Sequence, residues 1–158
     1  MTFFDFFQAI ENSALGNTIR ESNWAFAVIE SVHLLALSVM GGSVLLVDMR
    51  MLGLGLTERP VRELAQNTFR YMTLALVVLI VTGIGLFFSE AIKCFYSTPF
   101  WVKMSALFLA TLFTYTIRRR VVMGATEPAQ GTARTVAVLS LVLWFTVAAS
   151  GRWIGFSG

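Results

Sequence analysis

What this chain lacks narrows its chemistry first. It has one cysteine, Cys94, so it can form neither an internal disulfide nor a CxxC redox or zinc pair. It has one histidine, His33, which excludes bis-histidine haem ligation within a single chain, HExxH zinc chemistry and any multi-histidine metal cage. No P-loop is present, and no Ser or Cys can be matched to the lone His as a nucleophile by spacing. Charge is scarce: Asp, Glu, Lys and Arg make up 13% of the chain, about half the roughly 25% usual in soluble domains. Matched half-helices broken by Pro or Gly, as in many transporters, are absent too.

What is present is apolar. Hydrophobic residues make up 56% of the 158, fourteen of them Phe, and mean hydropathy is +0.73. This composition belongs to an integral membrane protein, and the length suits a single domain over residues 1–158. The net charge of +3 calls for no nucleic-acid partner, because the basic residues sit in short clusters beside apolar runs. Residues 1–20 carry no basic n-region and no A-x-A site, so a cleaved signal peptide is not expected.

Four stretches meet the requirement of about 20 apolar residues for crossing a bilayer: about 24–47, 72–88, 100–117 and 135–153. The expected fold is all-α, an integral membrane four-helix up-down bundle. Residues 48–71 carry Arg50, Arg59, Arg62 and Arg70, and residues 118–134 carry Arg118, Arg119, Arg120 and Arg134. Arg20, Lys93, Lys103 and Arg152 fall to the other side. This asymmetry predicts both termini outside a bacterial inner membrane, with "RRR" at 118–120 as a stop anchor. Ahead of the first span, "TFFDFFQAIENSAL" reads as a short amphipathic helix lying in the interface. The stretch "LTERPVRELAQNTF" predicts a second short helix on the inner side, with Pro60 near its start.

Polar groups within the spans need individual explanation. "VIESVHLLALSVMGGS" places Glu30 and His33 one helical turn apart in the outer half of the first span. "FFSEAIK" brings Glu90 and Lys93 to the outer edge, "PFWVKM" brings Lys103 just inside it, and "SGRWIG" brings Arg152 to the same level. The inner-end charges, Asp48 and Arg50 among them, are expected to flank the spans rather than enter them. The pattern predicts a polar site open to the outer side, with His33 at its floor. Each residue also has a plain structural use. Lys103 and Arg152 can snorkel to the interface, Glu30 can pair with either of them, and His33 can hydrogen-bond between helices. "MGGS" and "TGIGL" allow close helix approach or room for a flat ligand, and Met40 serves as core filler or a soft ligand.

The pieces "ESNWAFAVIESVHLLALSVMGGSVLLVDMRMLGLGL", "VTGIGLFFSEAIK", "TPFWVKMSALFLA" and "GRWI" resemble an uncharacterised family of four-helix bacterial membrane proteins. More remotely, the chain resembles the copper-resistance D membrane proteins and the four-helix protoporphyrinogen oxidases. Those share a first-span His followed by small residues, here His33 and Gly41–Gly42. The oxidases add an aromatic residue and Lys at the start of a span, similar here to Trp101 and Lys103. This resemblance implies haem b on His33 and a part in activity for Lys103. The oxidases carry a further His late in the Lys-bearing span, where "LFTYTIRRR" offers Tyr115 instead.

Three functions are compatible with this inventory. One is a small redox-linked protein binding haem b, with His33 as the ligand to iron and Lys103 and Arg152 beside the anionic groups. Another is a non-catalytic integral subunit, a homo-oligomer or part of a larger membrane complex. The third is a metal-free quinone or small-anion site in which Glu30 and His33 relay protons.

Overall fold

A computed structural model describes residues 2–156 apart from Asn23, with Phe3 described by its backbone alone. Among the described residues every regular element is helical. Two short helices, α1 (Phe3–Glu11) and α2 (Ala14–Glu21), precede α3 (Ala25–Leu52) and α4 (Val61–Ser89). After α5 (Ala91–Tyr96), the third long helix runs through α6 (Thr98–Phe113), a π turn (Thr114–Arg118) and α7 (Arg119–Val122). The last helix is α8 (Gln130–Ile154). Four of these runs are long and apolar enough to cross a membrane: α3, α4, α6 through α7, and α8. The expected up-down four-helix bundle is what forms.

The helices are longer than the apolar runs that announced them. Val61–Phe69, expected as a separate helix, is the first two and a half turns of α4, with Pro60 at its N-cap. Pro suits that place, since it lacks the N–H that a first turn leaves unbonded anyway. The N-terminal segment, expected as one helix, breaks into two because Ser13 caps a new start by accepting from the Gly16 N–H. Thr2 and Asp5 form a capping box at the start of α1. Gly53, with φ +80°, ends α3 in the left-handed conformation that favours glycine.

The bundle has a terminal end, where α1 and the last turn of α8 lie, and an arginine-rich end. α3 packs along both α4 and α8, and α6 packs along α8. The span between α4 and α6 is filled by larger side chains, among them Phe69 against Tyr115 and the stacked pair Phe87–Phe100. One apolar cluster, around Met40, Val44, Met72, Ala110 and Trp144, fills the middle. A second, around Val47, Met51, Val61, Val122 and Ala137, fills the arginine-rich end. Met40 is thus core, in line with its plainer reading. At the terminal end α1 and α2 lie across the mouth of the bundle, and Phe7 is buried against Phe87 and Phe95.

Candidate functional site

At the terminal end the four long helices each bring one element to a common centre. His33 on α3 is half-buried, and its Nδ1 lies 2.8 Å from Thr82 Oγ1 on α4. The Thr82 hydroxyl has one proton, and it donates that proton to the Val78 carbonyl at 2.6 Å. Thr82 thus ties Nδ1 to α4 and leaves Nε2 outside that bond, with the direction of the His33–Thr82 bond set by the imidazole tautomer. On the next residue, Gly83, an added Cβ would sit 3.4 Å from His33 Cε1. The glycine is there to seat the imidazole edge.

Lys103, from α6, reaches into the same centre. Its side chain lies along Gly151 of α8, where an added Cβ would meet Nζ at 3.5 Å, and its ammonium is within electrostatic range of His33. No carboxylate or hydrogen-bond acceptor holds that ammonium among the described residues. An imidazole with one nitrogen outside the Thr82 bond and a cation with no carboxylate partner among the described residues thus lie within electrostatic range of each other. A carbonyl or anionic oxygen could accept from the cation, while a ligand O–H could give its proton to Nε2.

Glu30 and Arg152 stand at the rim of this centre and take no part in its bonding. Glu30 is exposed and forms no ion pair among the described residues, so the alternative of a structural Glu30–Arg152 or Glu30–Lys103 bridge is not what forms. Arg152 is exposed and lies over the Phe156 ring at 4.8 Å. Glu30 precedes Asp48 by eighteen residues, five α-helical turns, so both point in the same direction from α3. Asp48 is 0% exposed and Glu30 is open. The bundle is therefore closed on that side at the arginine-rich end and parted at the terminal end. Glu90 and Lys93 are a loose surface pair at 3.9 Å.

Beside the imidazole, Thr82 bonds Nδ1 and Gly83 backs the Cε1 edge. Gly41 and Gly42, the small residues expected to make room for a macrocycle, are exposed, with nothing near the position of an added Cβ. Two cavities lie at the arginine-rich end, one of about 10 Å³ beside Arg118 and one of about 200 Å³ between Pro60 and the Gly124–Pro128 loop.

The sequence reading missed a second polar centre. Asp48 and Arg118 enter the bundle rather than flank it, and Arg118 is no stop anchor. Its Nε donates to Asp48 Oδ1 at 2.9 Å and its Nη2 to the Val44 carbonyl at 3.4 Å. The two side chains are 4% and 0% exposed. The fully buried Ser140 of α8 lies in electrostatic range of the carboxylate, although neither its Oγ nor Asp48 Oδ2 has a well-formed bond. The π turn makes this possible. Ala106, Ala110, Thr114, Arg118 and Val122 are all buried at four-residue steps. An ordinary α-helix drifts about 40° with each such step, and the wider π turn takes up the drift. A run of small or buried residues at strict four-residue spacing leading into "RRR" was the available signal.

A family model matches residues 6–157. The chain belongs to DUF6644, a family of unknown function. No curated protein and no solved structure matches it. The family covers both polar centres and all four long helices, so the His33–Lys103 centre and the Asp48–Arg118 pair lie within one family domain.

Proposed function

We propose that this DUF6644 member is a small bacterial inner-membrane protein that binds, at its outer side, a lipid-soluble molecule through a carbonyl or anionic oxygen. A quinone headgroup is the ligand class that best matches the donors. The observation that carries this reading is the Lys103 ammonium, without a carboxylate partner among the described residues, in electrostatic range of His33, whose Nδ1 is engaged by Thr82. Lys103 holds the ligand oxygen and His33 takes or returns a proton. Glu30, one turn nearer the terminal end and exposed, passes that proton to the aqueous side. The eight arginines of the two inner links support placing both termini outside.

The remote resemblance to copper-resistance D proteins and protoporphyrinogen oxidases supports His33 and Lys103 as the residues that matter. It adds haem as a competing occupant, which the exposed Gly41 and Gly42 do not help to seat. The test uses protein purified in mild detergent and returned to lipid nanodiscs. A short-chain ubiquinone is titrated while tryptophan fluorescence is followed, beside a reduced-minus-oxidised absorption spectrum. Saturable quenching that weakens at least tenfold in both Lys103→Met and His33→Ala is the expected result. Quenching that never saturates, or that both variants leave as strong as in the parent chain, overturns the quinone reading. A stoichiometric b-type spectrum lost in His33→Ala would put haem in its place, and a fixed copurifying partner with a flat spectrum would mark an accessory subunit.

A further inference from the structure

We infer that the seam between α4 and α7 at the arginine-rich end is a binding site for one anionic phospholipid headgroup. The charge count carries the argument. Of the eight arginines at this end, Arg118 pairs with Asp48, Arg59 with Glu63 at 2.9 Å, and Arg50 faces Glu127 at 4.0 Å. The other five, Arg62, Arg70, Arg119, Arg120 and Arg134, are exposed and have no carboxylate partner among the described residues. Four of the five are on α4 and α7, the two elements that form this seam.

The seam is shaped as well as charged. Arg119 is held with its guanidinium over the Phe69 ring at 5.0 Å, so its position is set before any ligand arrives. Arg62 lies seven residues before Phe69, two turns along the same side of α4. Between these levels run the small cavity lined by Thr68, Phe69, Arg118 and Arg119 and the larger one lined by Arg62, Thr126 and Glu127. Glu127 is the one carboxylate there. Its Oε1 is engaged by the Val61 N–H at 3.0 Å, and its Oε2 faces Arg50. The phosphate oxygens have two guanidinium groups to accept from, and the acyl chains have the apolar span between α4 and α6 beside them. Basic pockets between membrane helices take anionic headgroups on these terms.

This inference is independent of the His33–Lys103 centre. Native mass spectrometry of the detergent-purified, delipidated chain tests it, with phosphatidylglycerol and phosphatidylcholine added in equal amounts. One retained phosphatidylglycerol per chain is expected. Its preference over phosphatidylcholine should fall about thirtyfold in the double variant Arg62→Gln/Arg119→Gln, the combined effect of two arginines at a membrane surface. Arg134→Gln, which removes an equally exposed arginine on α8, should leave the preference intact. Equal retention of the two lipids by the parent chain overturns the inference. So does a preference that survives the double variant, or one that Arg134→Gln lowers as much. Unchanged helical circular dichroism and melting in phosphatidylcholine micelles shows that the double variant is folded.

Discussion

Arg118 on the π turn and Asp48 on α3 are joined at 2.9 Å, seventy residues apart in the chain and closed off from the surface. The bond ties the first long helix to the third where the two apolar clusters meet. Removing one partner of such a pair leaves a buried charge uncompensated, at about 3–5 kcal/mol. Asp48→Ala should therefore lower the unfolding free energy by about that amount in SDS or thermal titrations. Asp48→Leu combined with Arg118→Met should recover most of the loss, since a packed apolar pair is often no less stable than a buried ion pair. A double variant as unstable as Asp48→Ala would show that the pair does more than compensate itself.

The fold was legible because each long helix advertises itself by an apolar run, and up-down connection follows from short links. Helix ends were less legible. Val61–Phe69 is too polar to read as membrane span, yet its buried Val61, Leu64 and Ala65 continue the core face of α4. At the terminal end, the sequence pointed to His33 and Lys103, which do share a centre. Arg152 was grouped with them by depth alone, and Glu30 by depth and helix face; neither reveals that the bundle is parted at that level, which leaves both side chains exposed. Asp48 was read as marking the end of its span and Arg118 as part of a stop anchor, because charge clusters beside apolar runs ordinarily flank a membrane and set the chain's orientation. The π turn that draws Arg118 inward leaves no residue signature beyond the four-residue spacing of buried positions.

That turn has its own test. Trp144 Nε1–H donates to Thr114 Oγ1 at 3.0 Å, and both residues are buried. Thr114→Val keeps the shape and removes the acceptor, so a buried indole N–H goes unbonded at about 1–3 kcal/mol. Thr116 is exposed and bonds within its own helix to the Leu112 carbonyl. Thr116→Val should accordingly cost under about 0.5 kcal/mol. Melting temperatures of the two variants, measured side by side, check the difference.

Cys94 should be slow to react. Burial, the first cause, and the nearby Glu90 push its thiol up to about 11. The thiolate is the nucleophile, so at pH 8 only about one molecule in a thousand is reactive, against about a quarter for an ordinary cysteine. Alkylation by iodoacetamide should be barely measurable at pH 8 and rise tenfold per pH unit up to about pH 11. Rapid labelling of folded protein at pH 8 would contradict the burial.

Gly16 fixes the cover at the terminal end. An added Cβ there would lie 2.6 Å from the Phe88 carbonyl oxygen, a contact that backbone cannot relieve by a rotamer change. Gly16→Val should lift α2 from α4, and α1, which packs on α5, should loosen with it. The Glu11 carboxylate, which accepts from the Ile92 N–H at 2.6 Å and from Arg20 at 3.0 Å, would lose its place. The measurable outcome is faster alkylation of Cys94 in Gly16→Val at a pH where the parent hardly reacts. An unchanged rate would mean that the cover does not shield α5.

Two glycines that look alike in the sequence should behave differently. Gly83 seats the His33 ring, with only 3.4 Å to spare for a Cβ, whereas Gly41 faces outward with nothing within 4 Å. Gly83→Val should push the imidazole away from Thr82 and break the bond that orients the ring. Overpacking of this kind costs about 1–3 kcal/mol, and short-chain ubiquinone binding should fall along with stability. Gly41→Val adds a methyl-bearing side chain to an exposed helix face and should alter neither by much. If Gly41→Val abolishes ligand binding and Gly83→Val does not, the centre lies on the outward face of α3 and His33 is a packing residue.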